Sequence, residues 1–127
     1  MKLSELARQV TLRAVPGTRI PFEKLDRWQK QSSPWTCTLT FQGRRLTVDY
    51  FQGHAVTEKP DSPNVLSSLL SDASFAQLSF EEFCGELGYE TSKEARKTYR
   101  ACLAMATKLE KLLGNEYQTF MSSENDV

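Results

Sequence analysis

Few side chains in this sequence could do covalent or proton-transfer chemistry, and they are scattered. Histidine occurs once, as His54, in a Gly-flanked stretch (Gln52–Pro60) with no Cys or carboxylate at ligand spacing. General acid–base work needs a partner within hydrogen-bond reach, and a metal needs several ligands. Glu81 and Glu82 are sequence neighbours, so on a helix they do not face each other and do not form a catalytic pair. The three cysteines, Cys37, Cys84 and Cys102, are odd in number and far apart, which reads as buried, reduced thiols rather than a disulfide framework. No phosphate-cradling Gly loop, nucleophile elbow or HExxH occurs in the chain. The expectation is a protein without catalysis, cofactor or metal.

Charge remains as the chemistry available. Residues 1–60 hold ten Lys/Arg against five Asp/Glu, and residues 61–127 hold six against eleven, so a net charge of zero conceals a dipolar chain. Such a chain can offer an acidic surface to a basic partner or a basic surface to nucleic acid. The acidic candidates are Glu81, Glu82, Glu86 and Glu90; Arg44 and Arg45 join them as partner-binding candidates at a hairpin tip. The alternative surface is basic: Lys93, Lys97, Arg100, Lys108 and Lys111, with Ala104 completing the row. That row could track phosphates, although no aromatics are interleaved with it for base stacking and Glu90, Glu94 and Glu110 sit nearby to dilute it.

The elements that must position these groups are legible in part. A length of 127 residues with 39% hydrophobic and 25% charged residues suits one soluble domain able to bury its own core. No apolar run approaches a membrane span, and MKLSELARQV lacks a signal-peptide core. One or two helical turns after Ser4 lead into Val10–Val15, which alternates like a strand and ends at Pro16-Gly17. Residues 18–33 carry only a weak helical spacing, Phe22, Leu25 and Trp28. Trp35–Phe41 places threonine at every even position, and Leu46, Val48 and Tyr50 share a face of Arg45–Tyr50. This is the alternation of a half-buried antiparallel hairpin. A turn at Gln42-Gly43 opposes Trp35 to Tyr50, whereas a turn at Gly43-Arg44 opposes Cys37 to Tyr50. Both keep the apolar faces together, so periodicity leaves the register open.

Helical signals dominate the second half. Ser62 as N-cap and Pro63 at the first position start a helix with Val65 or Leu66, then Leu69, Leu70 and Ala73 on its apolar side. Ser79 and Glu82 fit a capping box. Phe80, Phe83, Cys84 and Leu87 follow at i, i+3, i+4 and i+7, and Gly88 stands where a C-terminal glycine belongs. Thr91-Ser92-Lys93-Glu94 launches a long helix with the stripe Ala95, Tyr99, Cys102, Ala106, Leu109 and Leu113, ending at Gly114. The expected fold is α+β: a small antiparallel sheet, with the hairpin at 35–51 and a third strand near 10–15, packed against three C-terminal helices at about 63–73, 80–87 and 92–113. Residues 1–114 form this single domain, and the polar, acidic residues 115–127 read as a flexible tail.

The segment FEEFCGELGYETSKEARKTYRACLAMATKLEKLLG, together with the hairpin WTCTLTFQGRRLTVDYFQG and the stretch Pro63–Ala73, resembles small accessory proteins of tailed phages and prophages. It departs from the usual acidic turn after Gly-Tyr, where this chain has Glu90-Thr91-Ser92. No activity belongs to that group as a whole, so no residue role is carried over. The resemblance implies a phage or mobile-element protein working in a bacterial cytoplasm. The functional expectation is stoichiometric binding and inhibition of a host or defence protein complex, of anti-CRISPR or anti-restriction type. The alternatives are a nucleic-acid-binding accessory factor, using Arg44 and Arg45 at the hairpin tip with the Lys93–Lys111 row, and a homo-oligomeric structural protein.

Overall fold

A computed structural model describes residues 2–17, 34–51 and 60–124. Their order is α1 (Leu3–Gln9), β1 (Thr11–Pro16), β2 (Pro34–Phe41), β3 (Arg44–Phe51), α2 (Ser62–Ser74), a 3₁₀ turn (Phe75–Gln77), α3 (Phe80–Leu87), α4 (Lys93–Leu113) and α5 (Asn115–Glu124). The class is α+β, as expected. The weak helical spacing at 18–33 and the loop bearing His54 lie outside the described residues. The chain divides into two compact units, Leu3–Val65 and Leu66–Val127 with residues 1–2, and the division falls within α2.

The first unit holds a three-stranded antiparallel sheet of order β1-β2-β3. The third strand near 10–15 is present, pairing Leu12 with Leu39 and Ala14 with Cys37. Cys37 opposes Val48, and Leu39 opposes Leu46, leaving Gln42-Gly43 as the turn. The hairpin's two possible registers are thereby resolved, and the backbone gives the reason. Gln42 and Gly43 both have positive φ, 50° and 81°, the requirement of a two-residue turn whose twist matches that of the strands. Period-2 geometry then sends Ala14, Cys37, Leu39, Phe41, Leu46 and Val48 to one buried face. The opposite face carries the threonines, where Thr38 Oγ1 lies 3.1 Å from Thr47 Oγ1 and Thr36 Oγ1 donates to Asp49 Oδ1 at 3.4 Å.

The start of α2 differs from expectation by one residue. Asp61 Oδ1, not Ser62, accepts from the Asn64 backbone N–H at 3.0 Å. Ser62 Oγ instead donates to the Val10 carbonyl at 3.3 Å, a tertiary bond that sequence spacing does not reveal. A carboxylate at the N-cap also suits the helix dipole. The apolar side of α2 is buried at Leu69, Leu70 and Ala73 as expected, and both Val65 and Leu66 are buried with them.

In the second unit the caps fall where the sequence places them. Ser79 and Glu82 form a complete capping box, and Gly88 ends α3 in the left-handed conformation, φ 69° and ψ 26°. Ser92 Oγ accepts from Ala95 N–H to start α4. Phe83, Cys84, Ala95 and Cys102 form a buried cluster bordered by Phe75, Leu78, Phe80 and Tyr99. Tyr99 Oη donates to the Leu78 carbonyl oxygen. The α4 stripe buries Leu112 in addition to Ala95, Cys102, Leu109 and Leu113.

Two expectations fail here. Leu87, assigned to the buried stripe of α3, is exposed. Residues 115–124, assigned to a flexible tail, form α5 and bury Tyr117, Phe120 and Met121. Those three share a helical face at i, i+3 and i+4. Gly114 stops α4 at φ 59° and turns the chain into the new helix.

Candidate partner-binding surfaces

Two surfaces of the second unit collect the charged candidates. The first is the corner between α3 and α4. On α3 the outward side is Glu81, Glu82, Gly85 and Glu86, all exposed, with no basic residue in the helix. Gly88 then reverses the chain, and the Tyr89 N–H donates to the Cys84 carbonyl at 2.9 Å. This leaves Leu87 37% and Tyr89 46% exposed, between Glu86 and Glu90 in the chain. The Tyr89 ring is fixed edge-on against Phe83, with centroids 5.9 Å apart. A cleft follows, lined by Tyr89, Glu90, Ser92, Glu94, Ala95 and Thr98. The corner thus leaves one oriented aromatic and one aliphatic side chain partly exposed within an acidic stretch of the chain.

The acids are not equivalent. Glu82 Oε1 accepts from the Ser79 N–H at 3.0 Å. That bond, followed by the Ser79 side chain, holds its carboxyl below the ordinary glutamate range. Glu82 therefore belongs to the fold first, while Glu81, Glu86 and Glu90 make no such bond. Arg44 and Arg45 belong to the first unit and do not form one patch. Consecutive strand residues point to opposite faces. Arg44 lies opposite Phe41, donates to Gln42 Oε1 at 3.1 Å and has its guanidinium 5.7 Å from the Phe41 ring centre. Arg45 lies opposite Thr40 on the threonine face.

The second surface is the outer side of α4. Lys93, Lys97, Arg100, Lys108 and Lys111 are all exposed. At about 100° per residue they fall within one arc roughly 80° wide, centred opposite the buried stripe. The first three line a shallow cleft with Glu94.

The thiols offer no nucleophile. All three are free and buried. Burial, then the Asp49 charge, pushes Cys37 up to about 11, and burial followed by the Asp72 charge raises Cys102. Both are protonated at neutral pH, and the thiolate is the reactive form. Among the described residues no group of three or more His, Cys, Asp or Glu could hold a metal ion, and no helix is long and apolar enough to cross a membrane.

Sequence spacing marked the acidic and basic residues but missed Leu87 and Tyr89 as surface residues. Their signal is the left-handed glycine between them, which turns the chain where the apolar stripe would continue. In comparisons with known proteins, no family model, curated protein or solved structure matches the chain.

Proposed function

We propose that this protein acts by binding, as a stoichiometric inhibitor of a host or defence protein complex that handles nucleic acid, and that it works in a bacterial cytoplasm. The α3–α4 corner is the contact: Leu87 and Tyr89 pack against the partner while Glu81, Glu86 and Glu90 meet its basic nucleic-acid-binding surface. The observation that carries this reading is the exposure of Leu87 and Tyr89 within an acidic stretch. The parts of these apolar side chains that the fold leaves exposed gain by burial against a partner. Acids around them favour a positive surface and speed encounter with it. The resemblance to phage accessory proteins supports the choice of a bacterial target, a CRISPR effector or a restriction endonuclease.

The test is affinity capture from a bacterial lysate by the wild-type chain and by Leu87→Ala/Tyr89→Ala. The reading expects a nucleic-acid-processing complex that the double variant fails to retain. Equal retention by a folded double variant would remove the corner from the contact.

A further inference from the structure

The basic row of α4 takes no part in that contact. It spans from Lys93 to Lys111, about 27 Å at 1.5 Å per residue. None of its five cations forms a hydrogen bond or ion pair with another described residue. A sixth cation of the helix, Arg96, behaves differently: its guanidinium lies 4.3 Å from the centre of the Phe80 ring and so is engaged within the fold. All five are exposed, and their arc lies opposite Ala95, Cys102, Leu109 and Leu113, with buried Leu112 about 40° beyond Lys108. The row therefore presents a line of positive charge that a long ligand of opposite sign can meet.

We infer that the outer row of α4 lies along the phosphate backbone of double-stranded nucleic acid and holds it without reading sequence. A duplex presents one negative charge per about 1.7 Å of axis, so flexible lysines spaced along 27 Å each find a phosphate. Contacts of such cations to phosphate oxygens position a protein without specifying a site. No aromatic residue stands in the row, so it lacks the stacking platform that single strands require. Glu94 borders the row at one end, which makes the contact weak and confines it to low salt.

This inference rests on residues separate from the acidic corner and stands or falls apart from it. The experiment is fluorescence anisotropy of the full chain with a labelled random-sequence duplex of about 24 base pairs, at roughly 20 to 200 mM salt. Expected is a log–log salt slope of about −4 to −5, from 0.9 per phosphate neutralised. Lys97→Glu/Arg100→Glu should weaken binding at least about tenfold at the lowest salt. Lys108→Ala/Lys111→Ala should flatten the slope by about 2, with an unchanged circular dichroism spectrum. Glu81→Lys/Glu86→Lys should not weaken it. The inference is overturned by any of four results. These are no binding at the lowest salt, a slope near zero, tighter binding to a single strand of equal length, or unchanged affinity in both folded double variants. Self-association that Lys97→Glu/Arg100→Glu abolishes, without duplex binding, would likewise overturn it by assigning the row to a second copy of the chain.

Discussion

Arg96 stands over Phe80, its guanidinium carbon 4.3 Å from the ring centre, joining α4 to α3 at the edge of the buried aromatic cluster. Arg96→Ala should therefore lower stability by about 0.5–1 kcal/mol, the scale of an exposed cation–π pair. Lys97→Ala, one residue along, should stay within about 0.5 kcal/mol of wild type, as surface substitutions without partners do. Urea titrations of the two variants compare them directly.

The capping box makes α3 sensitive to acid. Ser79→Ala should cost about 1 kcal/mol, because it orphans the Glu82 N–H that Ser79 Oγ satisfies. Glu82 has a folded pKa below its unfolded value. Its contribution is thus complete above the unfolded pKa and is lost as pH falls through the lowered folded one. Thermal melts of wild type and Glu82→Gln should converge in that acid range and separate at neutral pH.

The hairpin turn carries a residue ill-suited to its backbone. Gln42 has φ 50°, a conformation that asparagine and glycine adopt more readily. Gln42→Asn should raise the melting temperature, with a gain of up to about 1 kcal/mol, whereas Gly43→Ala should lose about 1 kcal/mol or more. Neither substitution touches the second unit, so partner capture should be unaffected.

Buried thiols predict a pH-dependent signature. In the native protein a water-soluble disulfide reagent should react slowly with all three cysteines at pH 8, and with three thiols at once in denaturant. For Cys37 the unfolded thiol ionises before the folded one, whose pKa is about 11, so stability should fall as pH rises from the ordinary thiol range toward that value.

The last helix provides a test of its own. Phe120 is buried, and Phe120→Ala should cost about 3 kcal/mol or more. A chain ended at Gly114 should lose at least as much, and a tail without structure would lose nothing. Differential scanning calorimetry separates the two.

These residues also show where sequence reasoning reached and where it stopped. Local signals were legible: Ser79 with Glu82, Gly88, Ser92 and the threonine alternation each depend on neighbours a few positions away. The hairpin register was not, because two turns preserve the same apolar face and only the backbone sign at Gln42 separates them. Asp61 displaced Ser62 as cap because Ser62 is drawn to Val10, 52 positions distant. In α5 the polar residues around Tyr117, Phe120 and Met121 masked a short apolar face. At the candidate site the charged residues were visible by type, but the exposure of Leu87 depends on what covers α3, which periodicity does not carry.

The proposed function is tested most directly by titrating the captured partner's nucleic-acid cleavage with the purified chain. Inhibition by binding predicts a linear fall to zero at one chain per site. It also predicts an end point unchanged by longer incubation, and loss of inhibition in Leu87→Ala/Tyr89→Ala and in Glu86→Lys/Glu90→Lys. Complete inhibition at far below one chain per site, deepening with time, would contradict it by showing catalytic inactivation.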